Sequence, residues 1–297
     1  MRISEFRNAR AESRFRAAYE RTFASLWPGP TTAIDVPTAF GTTRVHRTGT
    51  EHGEPLVLLP GSGGNSLMWH RYVQALAERH PVIAVDTIGE PGASVQTAPL
   101  HDGRDAAAWL DELLTALDTP SARLVGCSYG GWIAINHAIH HPDRVAGLTL
   151  LDPAGMADLG WRFYAWVIAG GLAGLAPRAL RPRLARVVGN STILETELMA
   201  LMKATMGFRR RLPLAHTFTD EELGRLHTPT HVLLGERSAL HDSRAVSARL
   251  RELLPTARIE LVPDAGHALT TDQPELITAR ILDAPAHKNG AAPRSGA

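Results

Sequence analysis

Residues Ala122–Asn136 read ARLVGCSYGGWIAIN. The apolar run from Ala122 to Gly126 predicts a short buried strand, and the run from Tyr129 to His140 predicts a helix. Between them stands Gly126-Cys127-Ser128-Tyr129-Gly130, a G-x-S-x-G pattern in the strand–turn–helix setting that gives the pattern its chemistry. A residue at so sharp a turn sits in strained backbone, and glycines two before and two after leave room for it. The Ser128 hydroxyl is thereby lifted off the sheet, and the Tyr129 amide, at a helix N-terminus, faces whatever Ser128 attacks. As an isolated pentapeptide the run could be a tight glycine turn; the flanking strand and helix favour a nucleophile.

Outward from this point the chain alternates. Upstream, Leu56–Leu59 and Val82–Asp86 read as strands, with helices expected at 67–79 and, behind Asp102 as cap, at 104–117. Downstream come strand Val145–Leu151, strand His231–Leu234, helix 243–253, strand Arg258–Val262 and helix 274–283. Two further strands are expected near 33–39 and 42–48. Short apolar strands alternating with helices imply an α/β fold, a mostly parallel sheet covered on both faces. Residues 1–30 read as a helical extension, because Phe15, Tyr19, Phe23 and Leu26 recur at helical spacing within an expected helix 4–26. The rhythm breaks between Pro153 and Phe218, where no strand signal occurs and aromatic residues cluster. Residues 154–218 are therefore expected to form a helical cap inserted between core segments 31–153 and 219–283. Trp161 and Trp166 are its candidate pocket residues. Residues 284–297, APAHKNGAAPRSGA, read as a disordered tail.

Two more stretches carry chemistry. Leu59-Pro60-Gly61-Ser62-Gly63-Gly64 follows the first buried strand, and its backbone amides, Ser62's above all, can face a developing oxyanion. A phosphate loop is excluded, since the lysine of that motif is missing. His267 closes Val262-Pro263-Asp264-Ala265-Gly266-His267, just past the last strand. It is one of 14 histidines, but its place in a loop at the C-terminal edge of the sheet lets it reach over Ser128 and take its proton.

Composition limits the alternatives. The chain has 297 residues, 44% hydrophobic and 21% charged, which suits one large domain with an insertion. A net charge of +1 gives no electrostatic reason for a nucleic-acid or acidic-membrane partner. The single cysteine, Cys127, excludes an internal disulfide and reads as a buried small hydrophobe; no metal site is expected. The longest apolar stretch, 163–176, is broken by glycines and falls short of the roughly 20 residues that span a bilayer. The first residues lack the apolar core of a secretory signal, so a cytoplasmic location is expected.

Together LPGSGG, DTIGEPGAS, GCSYGGW, LLDPAG, LLGERS and DAGHAL resemble the α/β-hydrolase superfamily over about residues 30–283. More closely, they resemble small bacterial carboxylesterase-like members with a helical cap. The resemblance implies an eight-stranded sheet, no cofactor, and a serine–acid–histidine triad in that chain order. It carries over Ser128 as nucleophile, His267 as base, and the amides of Tyr129 and Ser62 as the oxyanion hole. Two departures stand out: Pro60-Gly61 replaces the frequent His-Gly, and the usual acid of G-x-x-D is Ser238 in Gly235-Glu236-Arg237-Ser238. Some superfamily members take the acid from the end of the strand ending at Leu151, which points to Asp152. Asp242 is the rival, although it precedes Ser243-Arg244-Ala245 as a helix N-cap would, and Glu236 is a third carboxylate within reach. The expected reaction is ester hydrolysis through an acyl-enzyme on a small-molecule ester. A thioesterase or cyclase served by an acyl carrier protein would use the same residues. The missing G-x-x-D acid leaves open a hydrolase fold that only binds.

Overall fold

The computed structural model describes residues 2–284. Its elements, in chain order, begin with β1 (Glu5–Phe6), α1 (Ala9–Leu26), β2 (Thr32–Thr38), β3 (Gly41–Gly49), β4 (Leu56–Leu59), α2 (Val73–Ala77) and β5 (Pro81–Val85). They continue with β6 (Val95–Gln96), α3 (Gly103–Ala116), β7 (Ala122–Cys127), α4 (Tyr129–His140) and β8 (Val145–Leu151). The segment after β8 carries α5 (Trp161–Leu175), α6 (Arg181–Val188), α7 (Thr196–Ala204) and β9 (Phe208–Arg209). The last group is α8 (Asp220–Gly224), β10 (Thr230–Gly235), α9 (Ser243–Leu253), β11 (Arg258–Val262), α10 (Leu269–Asp272) and α11 (Pro274–Leu282). The expected tail lies, apart from Ala284, outside the described residues.

The main sheet runs β2-β3-β5-β4-β7-β8-β10-β11, with the short β6 paired to β3. From β5 to β11 all neighbours are parallel, while β2 and β3 form an antiparallel edge. Alternation of side chains builds two cores, because successive residues of a strand face opposite sides. Val57 and Leu59 join Trp109, Leu113, Trp132 and Ile133 of α3 and α4 on one side. Leu56 and Leu58 join Phe15, Trp69, Tyr72 and Ile277 on the other, under α1, α2 and α11.

Three local expectations are corrected. The helix expected over 67–79 is a 3-10 turn at Ser66–Trp69 followed by the short α2. Trp69, Tyr72 and Leu76 there are apolar because they fill a core, not because they repeat along one helix face. The N-terminal helix starts at Ala9, where the Asn8 side chain accepts the Ala11 amide, and not at residue 4. Residues Glu5 and Phe6 instead pair antiparallel with Arg209 and Phe208, placing a strand inside the segment expected to hold none.

Candidate active site

The glycines around Ser128 are needed for steric reasons. A Cβ on Gly126 would lie 2.5 Å from the Gly130 carbonyl oxygen, and one on Gly130 would lie 2.2 Å from that of Leu59. Ser128 itself has φ 49°, a left-handed conformation that non-glycine residues rarely adopt. Its backbone is fastened on both sides: the Ser128 amide donates to the Leu151 carbonyl at 3.0 Å, and its carbonyl accepts from Ala154 at 3.0 Å.

Asp152 repeats this geometry one strand over. Cys127 and Leu151 are register partners in β7 and β8, so Ser128 and Asp152 are the residues that leave adjacent strand ends. Asp152 also has positive φ, 46°, and is fully buried. Its Oδ2 lies 2.5 Å from His267 Nδ1, and His267 Nε2 lies 3.2 Å from Ser128 Oγ. The loop bearing His267 is tied to the end of β10 by the Glu236 amide on the Val262 carbonyl (3.0 Å) and the Arg237 amide on the Ala265 carbonyl (2.8 Å).

The carboxylate has further donors. The Ser238 hydroxyl donates to Asp152 Oδ2 at 2.5 Å, and the Gly235 amide donates to Oδ1 at 3.1 Å. His241 Nε2 stands 3.6 Å from Oδ1. Burial alone would raise the Asp152 carboxyl. The His267 hydrogen bond, the two imidazoles and Ser238 outweigh it and hold the group below the usual aspartate range. Burial and the charge of Asp152, against a smaller pull from the Thr270 side chain, push the neighbouring Cys127 thiol up to about 12, so it stays protonated.

Asp242 is placed elsewhere: its Oδ1 accepts the amides of Arg244 and Ala245, at 3.0 and 3.1 Å, as the N-cap of α9. Glu236 is held by Arg244 at 2.9 Å.

The loop after β4 lies against Ser128, where a Cβ on Gly61 would come within 3.4 Å of Ser128 Cβ. Two of its amides are engaged. Gly64 donates to the Gly61 carbonyl at 3.0 Å, and Gly63 donates to Glu90 Oε2 at 2.9 Å. Tyr129 opens α4, and first-turn amides have no partner within their own helix. Glu90 is buried, and Arg210 reaches its Oε1 at 2.7 Å while lying 4.6 Å above the Tyr129 ring. Burial pushes the Glu90 carboxyl up against the pull of Arg210, the Gly63 amide and Ser62. The sequence singled out neither Glu90 nor Arg210. An acidic residue inside the glycine-bearing DTIGEPGAS was the available signal for the first; their pairing across 120 positions had none.

A cavity of about 370 Å³, within the range of small-molecule sites, opens onto Ser128 and His267. Leu67, Met68, Phe163, Trp166, Ile193 and Leu201 make most of its wall apolar. The Phe163 and Trp166 rings meet His267 edge-on, with centroids 5.6 and 5.4 Å away. Trp166 Nε1 also donates to the Val188 carbonyl at 2.9 Å, joining α5 to α6. Trp161 does not belong to this wall: it is 79% exposed on the outer side of α5, and its selection from aromatic content alone is corrected. Among the described residues no cluster of His, Cys, Asp and Glu could hold a metal ion, and no helix is long and apolar enough to cross a membrane.

Carboxylesterase YbfK of Bacillus subtilis (strain 168) is 29% identical over 281 residues, covering 91% of this chain and 92% of the relative. The uncharacterized carboxylesterase nap of the same organism is 29% identical over 267 residues, 87% of this chain and 88% of its own. Among solved structures, naproxen esterase (carboxylesterase NP) from Bacillus subtilis superposes with a TM-score of 0.82 at 27% identity, covering 93% of this chain and 98% of that one. Residues 56–280 match the alpha/beta hydrolase family, and with most of its length inside that match the chain belongs to this family.

Proposed function

We propose that the protein is a serine hydrolase that cleaves carboxylic esters, with Ser128 as nucleophile, His267 as base and Asp152 as the acid that orients it. The observation that carries this reading is the hydrogen-bonded line from Asp152 through His267 to Ser128, opening on an apolar cavity. With Asp152 on Nδ1, the neutral imidazole keeps its proton there and presents Nε2 as acceptor. His267 takes the Ser128 proton as Oγ attacks the ester carbonyl. The amides of Tyr129 and Ser62 receive the oxyanion, the protonated imidazole returns the proton to the departing alcohol, and an acyl-enzyme remains. Water, deprotonated by His267, then releases the acid. Esterase names among the relatives support the ester as substrate bond, and residues 154–218 act as the cap over the acyl pocket. A cytoplasmic small-molecule ester fits this reading without a carrier protein.

The test is labelling with a fluorophosphonate, followed by turnover of p-nitrophenyl esters of graded acyl length beside acyl-thioesters. Modification at Ser128, and loss of both labelling and turnover in Ser128→Ala, are expected. Near-wild-type turnover by Ser128→Ala would end the serine-hydrolase reading, and a strong preference for thioesters would replace the substrate class.

A further inference from the structure

The helix α5 is apolar on both sides, yet only one side is covered. Phe163, Trp166 and Gly170 face the cavity. On the opposite side Trp161, Tyr164, Ile168, Leu172 and Leu175 recur at spacings of three and four and are 52–79% exposed. Helices that are hydrophobic all round are normally buried on all sides, so this stripe is an unpartnered face. Val187 on the neighbouring α6 is also 83% exposed.

The segment that carries the stripe has charge of one sign. Between Asp158 and Glu195 the chain holds Arg162, Arg178, Arg181, Arg183 and Arg186, and no acidic residue. The net charge of +1 hides this local excess, because the balancing acids lie elsewhere in the sequence. Arg162, Arg178, Arg183 and Arg186 are exposed and form no ion pair among the described residues. A second copy is a poor occupant, since a self-complementary patch would bring these guanidinium groups toward their own images. An anionic phospholipid surface satisfies both features at once, taking the apolar stripe among its acyl chains and the arginines at its headgroups.

We propose that the outer face of α5, flanked by the arginines of α6 and of the α5–α6 turn, docks on anionic phospholipid bilayers. The helix would then separate a lipid surface from the cavity, with a different apolar face toward each. This binding goes beyond the ester-cleaving reading and does not depend on it.

The experiment is co-sedimentation of the full chain with phosphatidylglycerol and with phosphatidylcholine vesicles, at low and at high salt. Binding to phosphatidylglycerol that weakens with salt, and little binding to phosphatidylcholine, is expected. Each surface arginine near anionic lipid contributes about fivefold in partition, so Arg178→Gln/Arg183→Gln/Arg186→Gln should lose about a hundredfold. Ile168→Ser/Leu172→Ser should lose about tenfold or more while melting as the wild type does, since neither side chain is packed. No vesicle binding, equal binding to both lipids, or binding untouched by either variant would overturn the proposal. So would a dimer in sedimentation that Ile168→Ser/Leu172→Ser dissolves, which would make a second copy the occupant.

Discussion

Ser238 donates its hydroxyl to the carboxylate of Asp152 at 2.5 Å, although 86 residues separate them. The side chain standing where the resemblance leads one to expect an acid therefore donates to the carboxylate that leaves the neighbouring strand. Both reach the same place because the ends of β8 and β10 are adjacent and parallel.

This arrangement separates three substitutions. Asp152→Asn should lower kcat by about 10³–10⁴, the scale seen when a triad carboxylate becomes an amide. Asp242→Ala should leave kcat intact and cost about 1 kcal/mol of stability as a lost N-cap. Placing a carboxylate at the serine position, in Asp152→Asn/Ser238→Asp, should recover about tenfold or more over Asp152→Asn alone. Steady-state kinetics beside thermal melts read all three. Failure of the double variant to recover would mean that the strand end, and not proximity to His267, decides where the acid must stand.

Glu90 is expected to act as a positioning residue for the loop at Ser62. Glu90→Gln retains shape but weakens a charge-assisted hydrogen bond to Gly63 and the pairing with Arg210. Turnover should fall about tenfold with KM nearly constant, the pattern of an interaction made mainly in the transition state. A drop in melting temperature with unchanged kcat would assign Glu90 to the fold alone.

Trp166 and Trp161 should behave differently. Trp166→Ala enlarges the cavity and should shift preference toward bulkier acyl groups while Ser128 still reacts with a small fluorophosphonate. Trp161→Ala should leave the acyl profile as it is, because that ring lies outside the cavity. A panel of p-nitrophenyl esters distinguishes them, and a changed profile in Trp161→Ala would move the pocket boundary.

Stability should fall on mild acidification, with His137 among the groups responsible. Its Nδ1 hydrogen donates to the Ala107 carbonyl at 3.1 Å, and burial, with His141 and Arg144 adding to it, drops its pKa from 6.5 to about 4 against the opposing pull of that hydrogen bond and of Asp111. The unfolded chain takes up this proton near 6.5 and the folded chain only near 4. Lowering the pH across that window therefore favours unfolding, by about 3 kcal/mol from His137, and His46, His231 and His241, also held low by burial, act in the same direction. Asp152, with its carboxyl depressed, withdraws stability only at lower pH, below the ordinary aspartate value of about 3.9. Between pH 7 and pH 4 the melting temperature of His137→Gln should fall less steeply than that of the wild type; equal slopes would mean that the other buried histidines carry the effect.

Strands and helices whose burial is set locally were readable from the sequence. Val145–Leu151, Ser243–Leu253 and Arg258–Val262 have the bounds that apolar runs and caps indicate. The pairing of Glu5–Phe6 with Phe208–Arg209 was not, since two residues carry no periodicity and their partners lie some two hundred positions away. The same limit applies to the site. Ser128 and His267 stand out because short motifs mark them, whereas Asp152 and Asp242 each look like an ordinary turn or cap aspartate. Only the register of Cys127 with Leu151 brings one of them beside His267. The pairing of Glu90 with Arg210 is hidden for the same reason as β1, a partner more than a hundred positions away.

The β1–β9 ladder bears on how acyl pockets can be traded between related enzymes. A contiguous cassette of 154–218 would leave behind strand partners at Glu5 and Phe6, the Arg7 amide that donates to the Gly207 carbonyl and the Ser4 hydroxyl that accepts the Arg211 amide. The inherited unit is thus split in sequence. A chimaera that carries the first 26 residues along with the cassette preserves its fastenings, and one that does not must rebuild them against a foreign helix.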